Sequence, residues 1–354
     1  MRVGLAWILM GACIEAQKGR SFLDEAKSMK KQDGSIEDVV TKTDEAVFDT
    51  MDQIPRAQGL GKLFRYLREV PARKLPVNRG IRYVSENNFR GNLQNSFLAV
   101  CYEQDLATEK CFCNKRYPVR YIIRNDTLES LVLIVVEPAN KQIIISYRPT
   151  YSDKNWLTNL DFELVQFPGA PKGVQSHRGF KDYVLSVQPQ AEKALGKLLK
   201  MPKYKDFEVH TTGYSLGAAA AIVSVPAWVK FIRKNRFPHK FLAYSYAGPR
   251  PGNEAFAQYL ASFKVPITRF SNREDLVTHL PPRSFGYVHA GVEYHERKTG
   301  PDQTSVELCS QAYDEDPNCG LNPHALLSNA RHYFPFNAYI PLPPTVNIGS
   351  HQHK

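Results

Sequence analysis

One stretch constrains the fold of this chain more than any other: residues 209–221, Val-His-Thr-Thr-Gly-Tyr-Ser-Leu-Gly-Ala-Ala-Ala-Ala. The β-branched residues at its start favour a strand, and the alanine run at its end favours a helix. Between them lies Gly-x-Ser-x-Gly, centred on Ser215. A strand, a sharp turn and a helix in this order predict a nucleophile elbow, in which Gly213 and Gly217 leave room for the turn. In a loop, the same five residues would indicate only flexibility.

The elbow gives Ser215 a chemical role, because the serine stands at the head of the predicted helix. Backbone N–H groups there have no partner within the helix, and the helix dipole favours negative charge. An oxyanion that forms when the serine attacks a carbonyl group would be stabilised at this point. The stretch therefore predicts nucleophilic catalysis.

Length and composition fit one large enzyme domain with extensions. The chain has 354 residues, of which 43% are hydrophobic and 23% are charged, as in ordinary globular enzymes. No uninterrupted apolar run is long enough to predict a transmembrane span. The net charge of +11 is spread along the chain without an aromatic–basic recognition module, which argues against a nucleic-acid partner. It favours a surface that approaches an anionic lipid interface.

The amino terminus is typical of a secreted protein. Residues 1–16 combine Arg2, an apolar core and a small residue at Ala16, which predicts a signal peptide. A buried amphipathic segment and a lipoprotein cleavage box are the weaker alternatives. The predicted organisation is then an N-terminal extension or propeptide (17–80), the catalytic domain (81–340) and a polar tail (341–354).

Five cysteines remain after the predicted leader: Cys101, Cys111, Cys113, Cys309 and Cys319. In an oxidising compartment Cys111/Cys113 and Cys309/Cys319 are candidate short-loop pairs, which leaves one cysteine over, although the pairing is open. Asn125-Asp126-Thr127 is a glycosylation acceptor if the chain is secreted.

Strand-like and helix-like segments alternate through the centre of the chain. Predicted strands cover 121–123, 131–136, 142–147, 207–212, 241–247, 267–270 and 287–294, and predicted helices reach about 199, 232 and 263, the last capped by Asn253. This alternation predicts an α/β fold, with a mainly parallel central sheet and helices on both faces.

A serine nucleophile needs a base and an acid, which follow it in the order acid, then histidine, in the α/β-hydrolase arrangement. Asp275 fits the acid, in a loop after a predicted strand; its neighbour Glu274 is the alternative. The candidate bases are His279, His289, His295, His324 and His332. We expect a core or surface role for His289 because it falls within a predicted strand.

Several separated stretches resemble the fungal triacylglycerol lipase family (class 3 lipases), which has the α/β-hydrolase fold. They are Tyr147-Arg148-Pro149-Thr150 with Asn155-Trp156-Leu157, Ser176-His177-Arg178-Gly179-Phe180, the elbow, and the segments 246–253, 275–282 and 285–294. Their order and spacing span about residues 90 to 335. The resemblance implies that Ser215 is the nucleophile and Asp275 the triad acid.

The resemblance also implies the remaining parts of the site. Family members carry the triad histidine shortly before a Tyr-Phe pair, here Tyr333-Phe334. An ungapped match puts Ala330 at that position, so His332 is favoured after a shift of two residues and His324 is the runner-up. The implied oxyanion hole is formed by the N–H of Leu216 and by the N–H and hydroxyl of Thr150.

Further implied features concern the lid and the cysteines. Residues 151–160 resemble the family's lid, a short amphipathic helix that opens at an oil–water interface, with candidate residues Ser152, Asn155, Trp156 and Leu157. Cys309/Cys319 resembles a family disulfide, whereas Cys101 lacks the partner that normally follows the Tyr-Phe pair. Pro149 stands where the family has glycine.

The chain is therefore expected to be a secreted serine ester hydrolase, most consistent with a triacylglycerol lipase acting on acylglycerols at a lipid–water interface. Neither a metal nor an organic cofactor is required. The alternatives are a feruloyl esterase or phospholipase of the same family, or an inactive lipid-binding member, which Pro149 and Ala330 suggest.

Overall fold

A computed structural model of the chain describes residues 119–149, 162–272, 275, 277–300, 303–310 and 314–320. Several predictions lie outside these residues. They concern the signal peptide, the N-terminal extension, Cys101, Cys111, Cys113, Thr150, the lid residues Ser152, Asn155, Trp156 and Leu157, and the C-terminal His324, Ala330 and His332.

Eight strands form the central sheet. In sheet order they are β1 (Val119–Asn125), β2 (Ser130–Glu137), β3 (Gln142–Tyr147), β6 (Glu208–Tyr214), β7 (Phe241–Tyr246), β9 (Ile267–Asn272), β11 (Val292–Gly300) and β12 (Gln303–Leu308). The five strands from β3 to β11 run parallel. At the margins, β2 pairs antiparallel with β3, β1 pairs antiparallel with β2, and β12 pairs antiparallel with β11. The predicted mainly parallel sheet is confirmed.

A smaller antiparallel sheet lies beside the central one. It contains β4 (Leu164–Gln166), β5 (Gln175–His177), β8 (Gly252–Asn253) and β10 (Tyr287–Val288), in the order β10-β8-β5-β4. The sequence pattern did not predict it, because strands of two or three residues are too short to show periodicity.

Three α-helices complete the described architecture: α1 (Arg178–Leu199), α2 (Leu216–Lys234) and α3 (Glu254–Ser262). Helices α1 and α2 share one hydrophobic core with β2, β3, β6 and β7, and Trp228 is fully buried within it. Asn253 caps α3 as predicted, since its side-chain oxygen accepts a hydrogen bond from the Phe256 N–H at 2.9 Å. The pairing of strands and helices confirms the α/β architecture.

Helix α2 is long and apolar enough, by length and composition alone, to cross a bilayer. However, 78% of that apolar stretch is buried inside the domain, where it packs on the sheet. Burial within the domain explains the apolar composition, as for any helix that is covered on most of its surface. The helix continues through Pro226.

One predicted element is wrong. The segment 287–294 was expected to be a single strand, but it is divided between β10 in the small sheet and the start of β11 in the central sheet. The break falls at Gly291, which has a φ of 89°, a conformation that glycine adopts without steric cost. His289 therefore lies between two strands, and not within one.

Candidate active site

The turn between β6 and α2 has the geometry that the sequence predicted. Ser215 is the only residue between strand and helix, and its backbone angles are φ 54° and ψ −123°. This is a strained conformation for a residue with a side chain, and such strain is typical of functional sites. Backbone hydrogen bonds hold it: the Ser215 N–H donates to the Tyr246 carbonyl at 3.0 Å, and the Ser215 carbonyl accepts from the N–H groups of Ala218 at 3.0 Å and Ala219 at 3.2 Å.

The two glycines of the elbow are required by close backbone approach. A Cβ atom on Gly213 would overlap the backbone of Gly217, and a Cβ atom on Gly217 would overlap the carbonyl group of Tyr147. The first turn of α2 therefore lies directly against the end of β3. From there the chain runs through Arg148 and Pro149 into Thr150, the first residue outside the described segment.

The start of α2 is enclosed. Ser215 is only 6% exposed and Leu216 only 1%. Because Leu216 is the first helical residue, its N–H has no acceptor within the helix. The helix end carries roughly half a positive charge, and exclusion of water strengthens the interaction of that charge with an anion. The elbow can thus stabilise an oxyanion beside Ser215.

The chain that leaves β3 is anchored by buried polar contacts. The Arg148 guanidinium donates to the Glu129 carbonyl at 2.5 Å. The Tyr183 hydroxyl lies 2.8 Å from the Leu131 carbonyl oxygen and 3.2 Å from that of Arg148. These contacts position the backbone on both sides of Arg148, and so the direction in which the chain enters Pro149.

The predicted acid, Asp275, lies three residues beyond β9 and is completely buried. Its N–H donates to the Asn272 carbonyl at 2.9 Å, and its side-chain Oδ1 accepts from the Val277 N–H at 2.8 Å. The Thr278 hydroxyl donates to the Asp275 carbonyl at 2.9 Å. The carboxylate therefore sits in a tight turn with one oxygen already bonded to the backbone.

Topology brings Ser215 and Asp275 to the same edge of the sheet. They follow β6 and β9, which are parallel and separated only by β7. Two strand spacings amount to roughly 10 Å. An imidazole ring from another part of the chain, inserted between the two side chains, would bridge a gap of this size.

Three of the candidate histidines lie within the described residues, and all three are buried and already bonded. His279 Nδ1 lies 3.0 Å from the Asp275 carbonyl oxygen, His289 Nε2 lies 2.7 Å from that of Thr278, and His295 Nδ1 lies 2.8 Å from the Ser271 hydroxyl. Burial lowers the pKa of His279 to about 4 and that of His295 to about 3, and it lowers the pKa of His289 well below its usual range. Of the core and surface roles expected for His289, the structure shows the core one, although the residue lies between strands.

Sequence reasoning missed a buried ion pair next to this edge. Arg250, which is 1% exposed, donates from Nε and Nη2 to the two carboxylate oxygens of Glu315 at 2.8 and 2.7 Å. Burial raises the pKa of the Glu315 carboxyl, but the Arg250 guanidinium outweighs burial and holds this pKa well below its usual range. Arg283 adds a hydrogen bond to Glu315 at 3.1 Å. The only hint in the sequence was the acidic run 314–316 between two cysteines.

The disulfide Cys309–Cys319 closes the loop that carries Glu315. This pairing confirms the one that the resemblance implied. A closed loop of ten residues has few conformations to lose on folding. The disulfide therefore helps to present Glu315 to Arg250 in one position.

Comparisons with known proteins agree with this geometry. A family model described as lipase (class 3) matches residues 144–285. The lipase of Rhizomucor miehei is 32% identical over 200 residues, which cover 56% of this chain and 53% of that protein. The secreted mono- and diacylglycerol lipase 1 of Fusarium solani is 31% identical over 166 residues, 46% of each chain. This chain thus spans about half the length of these curated relatives.

A solved structure shows the same likeness at the level of the fold. This structure is of a triacylglycerol lipase whose catalytic centre is described as a serine protease triad. The two structures superpose with a TM-score of 0.63 at 25% identity, and the match covers 73% of this chain and 98% of the other. Residues 144–285 are therefore similar to class 3 lipases in both sequence and fold. The elbow and the Asp275 loop both fall within the range matched by the class 3 lipase model, whereas the Glu315 loop lies beyond it. The predicted α/β-hydrolase fold is confirmed.

Proposed function

We propose that this chain is a serine ester hydrolase that cleaves acylglycerols, with triacylglycerols as the first expected substrate, through an acyl-enzyme on Ser215. The observation that carries the proposal is the strained serine between β6 and α2, at the same sheet edge as the buried carboxylate of Asp275. The likeness to a triacylglycerol lipase with a serine triad supports the same activity.

In the proposed mechanism, Ser215 Oγ attacks the ester carbonyl carbon while His332 takes the hydroxyl proton. Asp275 orients the imidazole and stabilises its positive charge. The N–H of Leu216, together with the N–H and hydroxyl of Thr150, would donate to the oxyanion, each donor being worth about 3 kcal/mol to the transition state. The C–O bond to the alcohol then breaks, and the alcohol leaves with the proton from His332.

A second half-reaction regenerates the enzyme. Water loses a proton to His332 and attacks the acyl carbon on Ser215, and the bond to Oγ breaks as the proton returns to the serine. The products are a carboxylic acid and free enzyme. His332 is preferred over His324 because it directly precedes the Tyr-Phe pair, and the bonded, buried state of His279, His289 and His295 supports a base from the C-terminal region.

Labelling with a fluorophosphonate probe tests this proposal against an inactive lipid-binding member of the family. We expect the wild-type chain to be labelled at Ser215 and the Ser215→Ala variant to be unlabelled. Ester hydrolysis should fall by on the order of 10⁴-fold or more in this variant. A wild-type protein that binds lipid but is neither labelled nor active would overturn the proposal. Parallel His332→Ala and His324→Ala variants identify the base.

The substrate range is tested on one panel of esters. Because one relative is a mono- and diacylglycerol lipase, the panel contains mono-, di- and triacylglycerols of several chain lengths, a phospholipid and a feruloyl ester. We expect the highest kcat/KM on an acylglycerol. A higher kcat/KM on the phospholipid or the feruloyl ester would contradict the proposed acylglycerol substrate but not the proposed mechanism.

We further propose that the chain is secreted, with residues 1–16 as a removable signal and the segment 151–160 as a lid. The relative from Fusarium solani is named as secreted, which supports an extracellular location. N-terminal sequencing of protein recovered from culture medium should begin at Gln17 or, if an extension is removed, near residue 80. Retention of Met1 in exported protein would contradict the signal peptide.

A further inference from the structure

We propose that Arg250 is a positioning residue for Asp275, and that Glu315, presented by the disulfide-closed loop, orients Arg250 for this purpose. The inference rests on the proposed function, in which Asp275 is the acid of the catalytic triad. The hydrogen bonds of Arg250 go to Glu315 and to backbone carbonyls after Asp275, so its effect on catalysis passes through the backbone of the Asp275 loop.

The contacts of Arg250 are concentrated on the residues that follow Asp275. Its backbone N–H donates to the Leu280 carbonyl at 2.7 Å, and Nη1 donates to the carbonyls of His279 and, at 3.0 Å, Pro281. One buried side chain and its own backbone thus bind three successive carbonyl groups of one loop. These bonds determine where the loop lies relative to β7, the strand between those that lead to Ser215 and Asp275.

The same loop is bonded back to Asp275. The Val277 N–H donates to the carboxylate at 2.8 Å, while Thr278 and His279 contact the Asp275 carbonyl. A shift of residues 277–281 would therefore move the carboxylate with them. Because catalytic groups lose activity steeply when displaced by about 1 Å, the position of this loop matters more for turnover than for substrate binding.

Glu315 fixes the plane of the guanidinium group. It receives two parallel bonds from Arg250, one from Arg283 at 3.1 Å and one from the His289 N–H at 3.1 Å. A bidentate carboxylate orients a planar guanidinium, whereas the single ammonium group of lysine cannot make the same set of bonds. With Nε and Nη2 held by Glu315, Nη1 faces the carbonyls of the Asp275 loop.

A second buried ion pair, Arg269–Glu293, provides a control that distinguishes an effect on catalysis from an effect on stability. Arg269 Nη2 donates to Glu293 Oε2 at 2.7 Å, and Glu293 also accepts from Ser271, so these partners all belong to β9 and β11. Buried ion pairs by themselves are weak evidence for stability. Removing either pair should destabilise the fold, but only the pair that binds the Asp275 loop should change turnover.

The experiment compares Arg250→Lys and Glu315→Gln with the matched control Glu293→Gln in the full-length chain. For the first two variants we expect kcat on a soluble ester to fall on the order of 10- to 100-fold, with KM within about twofold of wild type. For Glu293→Gln we expect kcat within about twofold, even where the melting temperature falls. Glu315→Asp, which keeps the charge, should recover part of the loss if the protein is folded.

A double-mutant cycle supplies the decisive measurement. In an Asp275→Asn background, adding Arg250→Lys should change kcat by less than about twofold, because the residue through which Arg250 acts has been disabled. An undiminished loss in that background, or a wild-type kcat in folded Arg250→Lys protein, would overturn the inference. If Ser215→Ala and Asp275→Asn both retain wild-type activity, the proposed function itself is wrong.

Discussion

The two edges of the central sheet differ in how far their charged side chains are exposed to solvent. At the carboxyl edge, charged groups are buried and hydrogen-bonded: Asp275, Arg250 and Glu315 are each 3% exposed or less. At the amino edge, where the parallel strands begin, charged groups are exposed and mostly basic. Ten exposed basic residues lie in the loops that precede the parallel strands and at the ends of α1 and α2. They are Lys141, Lys197, Lys200, Lys203, Lys205, Arg233, Lys234, Arg236, Lys240 and Lys264.

This difference shows at which edge electrostatic interactions determine the positions of side chains. A buried charge must be met by fixed partners, because its desolvation is costly, and those partners in turn determine its position. An exposed charge is solvated and screened, so it contributes little to geometry; the Lys240–Glu208 pair at 3.7 Å is an example. The carboxyl edge therefore suits catalysis, and the amino edge suits long-range attraction.

The largest effect is expected from the carboxyl edge. Asp275→Asn should lower kcat by on the order of 10³- to 10⁴-fold, because an amide oxygen can still accept from the Val277 N–H but cannot stabilise a positively charged imidazole. Steady-state kinetics on a soluble ester measure the loss, and unchanged thermal unfolding would show that the fold is retained. Wild-type turnover in the folded variant would remove Asp275 from the catalytic mechanism.

A smaller effect concerns pH and the buried histidine beside this acid. An unfolded histidine binds a proton near pH 6.5, whereas burial keeps the pKa of His279 at about 4. As pH falls from about 6.5 to 4, the unfolded chain gains a proton that the folded chain does not, so the free energy of unfolding should fall by about 3 kcal/mol from this group. In His279→Gln that contribution should be absent. Urea denaturation at pH 7 and pH 4 tests this, and equal pH dependence in both proteins would contradict it.

The smallest effect on turnover is expected at the amino edge. Lys203→Gln combined with Lys205→Gln should weaken binding to anionic vesicles at low salt, by about 1 kcal/mol for each lysine, and should leave hydrolysis of a soluble ester within about twofold. Vesicle sedimentation measures the binding. Arg178→Gln with Lys181→Gln, at the other end of α1, is the matched charge control. Equal binding of wild-type protein to neutral and anionic vesicles would reject electrostatic attraction to lipid.

Much of the fold was predictable because the strongest signals were local. Short stretches of sequence predict these elements: β-branched runs predict β2 and β3, and the alanine run predicts the start of α2. Asn253 predicts the start of α3 because it is a favourable N-cap residue. The segment 287–294 was misread since its division depends on which sheet each half joins. Local pattern cannot distinguish a strand that continues from one that changes partners.

The elbow around Ser215 was determined by sequence alone, because its strand, glycines and helix are contiguous in the chain. The close backbone approach at the turn leaves no room for side chains at Gly213 and Gly217. Tertiary structure decided how its surroundings are held together. Arg250, the loop after Asp275 and Glu315 are separated by as many as 65 residues, and only the strand order and the Cys309–Cys319 loop bring them into contact. A buried charge finds its partner through the packing of distant segments, and no pattern in a single segment specifies that packing.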